Sequence, residues 1–239
     1  MSATFQKLFP LCLLSAIAFA SCDDPITRGS GDLLTETRNV KDFHALEVNC
    51  NGDVEVSVGD VFKVEVTCEE SIIDFLETYE DEGVLKIRFD RVVFDVDDLR
   101  IKVTAPKWDA FEINGSADVH VKDPIDGAQL VLSISGSGNA DLEEIDFDRI
   151  KAGISGSGNV NIEGAADDLH CTISGSGNYD ALDCPVKTAK VSVSGSGDAR
   201  LNVSEFLNAS VSGSGDVHYK GDPEVTKSVS GSGSVRKIN

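Results

Sequence analysis

Two carboxylates, Asp198 and Asp216, stand at the same place in consecutive copies of a short repeat. If those copies stack as β-strands, the two side chains lie about 4.8 Å apart on one outward face, close enough to share a hard cation such as Ca2+. The rest of that column reads Asn139, Asn159, Asn178 and Ser234, and the Gly-Gly-x-Gly-x-Asp pattern of calcium-binding β-rolls is missing. The expectation is therefore no resident cofactor. Asp198 and Asp216 are weak candidates for a metal site and otherwise two solvated carboxylates screened by counterions. Two residues further on, a second column reads His120, Asp141, Asn161, Asp180, Arg200 and His218. Groups of this kind can serve acid or lyase chemistry on polysaccharides, but no two carboxylates fall on neighbouring copies and the connections leave little chain for a cleft. The column reads as an exposed charge network whose pairs contribute ~0–1 kcal/mol each. No catalytic residue is assigned and no enzymatic activity is expected.

Cys50, Cys68, Cys171 and Cys184 form an even set that permits three pairings. The sequence-local pairs, Cys50 with Cys68 and Cys171 with Cys184, are the simplest disulfide candidates, because residues about one repeat apart come close in a stacked coil. No Cys-x-x-Cys spacing occurs, which argues against zinc. Ahead of these, Lys7 precedes an apolar run from Leu8 to Ala20 that is too short to cross a bilayer as a stable helix. Residues 1–21 read as a secretory signal. The segment Phe19-Ala20-Ser21-Cys22 resembles the lipobox of bacterial lipoproteins, in which the cysteine becomes the lipidated first residue and so the membrane partner. Phe19 departs from the usual Leu, and ordinary cleavage near Ala20 with an unmodified Cys22 is the alternative. Asp23 and Asp24 are similar to the acidic tether that directs lipoproteins to the surface of some Gram-negative bacteria.

The elements that must position these residues are read from the repeat itself. Ser-Gly-Ser-Gly recurs at Ser135, Ser155, Ser174, Ser194, Ser212 and Ser230, with spacings of 20, 19, 20, 18 and 18 residues. That period is too short for a propeller blade or a helix pair but suits one coil of a β-solenoid. From Ala189 to Val203, Val191, Val193, Leu201 and Val203 share one parity while Ser192, Ser194, Asp198 and Arg200 share the other, the pattern of a half-buried strand. The motif glycines fall on the inward parity, where they allow a tight bend or a close approach between opposite walls. Stacked coils turn each sequence column into a ladder, and the Asn column can bond along the axis. Asn114-Gly115-Ser116 and, more weakly, Asn51-Gly52-Asp53-Val54 read as earlier copies.

Residues 22–36 are polar and read as a flexible tether. Residues 37–121 are strand-rich but irregular, with strands expected at 45–48, 54–58, 62–67, 84–89 and 99–104 and one helix from Ser71 to Tyr79 capped by Ser71. Trp108, Phe111, Phe43, Phe62, Phe75, Phe89 and Phe94 are expected to fill a wider core at this end. Residues 122–239 form the regular repeat. The formal net charge of −20, or −21 once Lys7 is removed with the signal, repels phosphate backbones and excludes nucleic acid as a partner.

Arg38-Asn39-Val40-Lys41-Asp42-Phe43, Val84-Leu85-Lys86-Ile87, Val103-Thr104-Ala105-Pro106, Ile113-Asn114-Gly115-Ser116 and the Ser-Gly-Ser-Gly copies together resemble the putative auto-transporter adhesin head domain of exported Bacteroidetes proteins. The likeness covers roughly residues 37–239. It implies an all-β, right-handed parallel β-helix at the cell surface with an irregular strand-rich N-terminal cap, and no established catalytic residues or ligand. The reading that results is a lipid-anchored, rigid binding or adhesive module of the outer membrane or cell surface, with a glycan or surface-protein ligand. The alternatives are a carbohydrate-active enzyme on the same fold and a structural envelope component. The open end of a solenoid leaves room for a dimer.

Overall fold

The computed structural model describes residues 27–239, so the signal and the Cys22 lipidation site lie outside the described residues. Up to residue 121 the strands are short: β1 (Thr27–Arg28), β2 (Leu33–Arg38), β3 (Ala45–Asn49), β4 (Asn51–Val58), β5 (Lys63–Glu69), β6 (Leu76–Asp81), β7 (Val84–Phe89), β8 (Val93–Phe94), β9 (Arg100–Ala105), β10 (Ala110–Ile113) and β11 (Ser116–Val121). Then come β12 (Ile125–Gly136), β13 (Asn139–Gly156), β14 (Asn159–Gly175), β15 (Asn178–Gly195), β16 (Ala199–Gly213), β17 (Asp216–Lys220), β18 (Glu224–Gly231) and β19 (Ser234–Lys237).

The repeat dictates the packing. β12 to β16 and β18 pair in parallel, so that Ser135, Ser155, Ser174, Ser194, Ser212 and Ser230 form one file and the glycines that follow them form the next. Alternate residues turn inward, and Ile154, Ile173, Val193 and Val211 stack as a buried apolar file. Each such side chain contributes ~1.5–3 kcal/mol by leaving water. The result is a β-solenoid of about six turns.

The motif's glycines turn the corner, as one of the two expectations had it, but the close approach they permit is to the neighbouring coil rather than to the opposite wall. At Gly156, φ is +144° and a Cβ would lie 2.2 Å from the carbonyl oxygen of Gly136 on the preceding coil. At Gly158 it would lie 2.0 Å from the carbonyl oxygen of Gly138. This closeness lets the N–H groups of Ser157 and Gly158 both donate to that Gly136 oxygen, at 2.8 and 3.2 Å. The corner between walls is thus satisfied by the coil beneath it, which accounts for both backbone donors.

The solenoid begins before the regular repeat, as the degenerate copies suggest. One wall continues as β12, β10, β3 and β7, the other as β13, β11, β4 and β9, all parallel. The coil made by β7 and β9 lies beyond that made by β3 and β4, although it follows it in sequence. The N-terminal end is closed by antiparallel strands, β6 on β7, β5 on β9 and β2 on β5. Phe43, Trp108 and Phe111 are buried there with ring centroids 5.7 Å apart along the row, and the Trp108 indole N–H donates to the Ser57 carbonyl at 2.9 Å. Phe94, by contrast, is 50% exposed.

Two local expectations change. The helix expected at 71–79 is a single 3-10 turn, Ile73–Phe75, that runs directly into β6, where Thr78 and Tyr79 pair with Ile87 and Lys86. Ser71 does not cap it; its Oγ donates to the Arg28 carbonyl and accepts from the Ser30 N–H. Pairing with an available strand edge outweighs the helical spacing of Ile72, Ile73 and Leu76. Within the segment read as a tether, residues 27–36 are built into the cap, with β1 on β8 and β2 on β5. Among the described residues no helix is long and apolar enough to cross a membrane.

Candidate functional site

The wall that follows the Ser-Gly-Ser-Gly corner carries the polar ladder. Asn139 Nδ2 donates to Asp118 Oδ1 at 2.6 Å, Asn159 Nδ2 to Asn139 Oδ1 at 2.9 Å, and Asn178 Nδ2 to Asn159 Oδ1 at 2.9 Å. The chain of bonds continues through backbone donors: Asp198 N–H to Asn178 Oδ1 at 3.1 Å and Asp216 N–H to Asp198 Oδ1 at 2.7 Å. It ends where the Ser234 hydroxyl donates to Asp216 Oδ1 at 2.6 Å. That hydroxyl holds the Asp216 carboxyl below the ordinary carboxylate range. Asp198 and Asp216 therefore sit side by side, as their spacing requires, but each has an oxygen engaged in the ladder. Among the described residues no group of three or more His, Cys, Asp or Glu is placed to hold a metal ion.

The neighbouring column is a sequence of pairs. Lys102 meets Glu55 at 3.0 Å, His120 meets Asp141 at 3.3 Å, and Arg200 meets Asp180 at 2.7 Å. Asn161 and His218 stand in the same file without an ion pair of that kind. Each carboxylate of the column thus faces a basic side chain rather than another acid, an arrangement that leaves no adjacent pair of carboxylates within this column.

The four cysteines are buried thiols in the structure, where the sequence spacing suggested two bridges. The register gives the reason. Cys171 lies between Ala152 and Val191, one full coil away on either side, whereas Cys184 follows it by only part of a coil. Cys50 and Cys68 lie near one another, but β5 runs antiparallel at the cap, so a spacing of one coil does not superpose them. Burial pushes the thiols of Cys50, Cys171 and Cys184 up to about 12 and that of Cys68 up to about 11.

The wall that leads into the corner carries the hydroxyl files. Its outward columns are Ser133, Gly153, Thr172, Ser192, Ser210 and Ser228, and beside them Ser135, Ser155, Ser174, Ser194, Ser212 and Ser230. Two residues before the first of these columns stand Lys151, His170 and Lys190, in register on three successive coils. The ladder of hydroxyls was legible in the motif. The basic file was missed, although all three residues fall four places before the first Ser of their copy.

A family model described as putative auto-transporter adhesin, head GIN domain, matches residues 42–223. The chain belongs to this family. The GIN domain here is similar to a crystal structure of a putative adhesin from Bacteroides fragilis NCTC 9343, with 24% identity and a TM-score of 0.84 over 88% of this chain and 99% of that one. It is similar also to a putative lipid binding protein from Parabacteroides distasonis ATCC 8503, with 25% identity and a TM-score of 0.75 over 89% and 99% of the two chains. A putative adhesin from Parabacteroides merdae ATCC 43184 shares 22% identity at a TM-score of 0.72, over 89% and 99%. Among curated proteins no match is found. A surface-exposed or exported binding protein is the character of the family.

Proposed function

We propose that this GIN domain is a rigid binding module displayed at the outer membrane or cell surface of a Gram-negative bacterium and held there by lipid on Cys22. The observation that carries the reading is one wall on which a file of serines runs in register across six copies of the repeat, beside a second file of Ser and Thr broken only at Gly153. Evenly spaced donors and acceptors about 4.8 Å apart suit a ligand that is itself periodic, a glycan or the exposed strand of a surface protein. Membership of an adhesin family supports the same reading.

The test is a glycan array probed with the mature chain, together with a depolymerisation screen on the same polysaccharides. Retention without product supports the module. Released oligosaccharides would make the protein a carbohydrate-active enzyme, and silence in both would leave a structural envelope component. Cys22→Ala followed by cell fractionation tests the anchor: the variant should leave the membrane fraction, and continued membrane association would refute the lipid.

A further inference from the structure

Three basic side chains, two lysines and a histidine, stand on the hydroxyl wall without an ion-pair partner. Lys151, His170 and Lys190 are exposed and directly opposite one another on successive coils. Among the described residues, none of the three makes a hydrogen bond or an ion pair. Their spacing along the axis is about 4.8 Å per coil, at which like charges on one face repel. Several cations nearby on the solenoid are matched, Arg149 with Asp168 at 3.7 Å, Lys187 with Asp167 at 2.7 Å and Arg200 with Asp180 at 2.7 Å. In a chain of net charge −20, two lysines and a histidine in register on successive coils form a basic patch on an acidic molecule.

Gly153 adds an independent observation. It interrupts the hydroxyl column between Ser133 and Thr172, and a Cβ built on it would meet nothing within 4 Å. Packing therefore does not require this glycine, unlike those at the corners. Its missing side chain leaves a hollow of about 240 Å³, bordered by Ser133, Lys151, His170 and Thr172. Lysine, histidine and hydroxyl side chains thus border one depression of the wall. Lys151 and Lys190, two coils apart, are about 9.6 Å from each other along the axis, the scale of a sugar pair rather than of a single small anion.

We infer that Lys151, His170 and Lys190, with the hollow at Gly153, form a track that binds the acid groups of an acidic polysaccharide lying along the wall. The inference rests on the binding-module reading and names its ligand class. Charge complementarity selects carboxylate or sulfate groups, and the flanking serines and threonine offer partners for sugar hydroxyls. Single-stranded nucleic acid is the competing polyanion, and the track offers it one ring, His170, with no further aromatic side chain in register on which successive bases could stack.

The experiment is affinity chromatography of the mature chain on immobilised alginate, dextran sulfate and neutral dextran, with single-stranded DNA as competitor. Salt-sensitive retention on alginate or dextran sulfate, and none on dextran, is expected. The double variant Lys151→Ala/Lys190→Ala should bind about tenfold more weakly or worse, since two charged contacts are lost. Gly153→Leu, which fills the hollow, should lose retention with an unchanged melting temperature. Equal binding by wild type and both variants, or no retention on either charged matrix, overturns the track. So does displacement by DNA as efficient as by the free polysaccharide. A neutral glycan or a protein ligand that binds wild type and both variants alike would sink this inference while leaving the binding module intact.

Discussion

The Ser234 hydroxyl ends the side-chain ladder on a carboxylate, and that single bond gives the last coil a pH dependence. The Asp216 carboxyl is depressed when folded, chiefly by the donated hydroxyl. Its contribution to stability is therefore present above the unfolded carboxylate value of about 3.9 and is lost as pH falls through the lower folded value. Ser234→Ala should lower the melting temperature at pH 6 and make progressively less difference as the pH is taken below 4; a constant difference at both values would contradict the assignment. The cysteines make a second expectation. Thiols raised by burial react slowly, so iodoacetamide should leave the folded chain from Asp23 onward unlabelled and add four groups once denaturant is present, without a reductant. Labelling that requires prior reduction would mean disulfides. The even count of cysteines was legible in the sequence, whereas their relative placement was not, because proximity depends on coil phase and on the antiparallel cap.

A coil of this solenoid is set by its corner, and its two glycines are constrained where Gly153 is not. Gly195→Ala would put a methyl group 2.2 Å from the Gly175 carbonyl oxygen at a φ of +138°, at a cost of about 2–4 kcal/mol. Gly153→Ala should change stability by less than about 0.5 kcal/mol. Urea unfolding of the two variants separates a corner demanded by stacking from a glycine with room beside it; equal midpoints would contradict the packing described. Strands in the repeat were readable because inward Val, Ile and Leu alternate strictly with Ser and Asn from Ala189 to Val203. The Ser71–Tyr79 segment misled for the converse reason: its apolar residues have helical spacing, yet β7 offers an edge that its Thr78 and Tyr79 occupy. The direction of the glycine contacts was also hidden, since parity places a residue inward without saying which backbone it meets.

The two ends of the molecule are finished differently. Antiparallel β2, β5 and β6 cover the N-terminal end, whereas the last coil leaves inward positions open, with Val229 42% exposed. Lys227 occupies the inward file of Cys171, Val191 and Ala209, and its ammonium donates to the Val235 carbonyl at 3.3 Å across the mouth of the coil. An inward charge at a sheet edge discourages another copy from adding on. Lys227→Val should therefore promote end-to-end association, seen as concentration-dependent mass in sedimentation equilibrium, and an unchanged monomer would contradict the role. The stacked architecture was legible from the motif spacing, while the out-of-order coil of β7 and β9 was not, because its strands carry no Ser-Gly-Ser-Gly copy. What the whole arrangement produces is one hydroxyl-lined wall, and its function is tested most directly on a glycan array with wild type beside Ser174→Glu/Ser194→Glu, two exposed changes on that wall. Binding of at least one glycan family by the wild type, lost in the variant at an equal melting temperature, is the predicted result; equal binding by both proteins would contradict it.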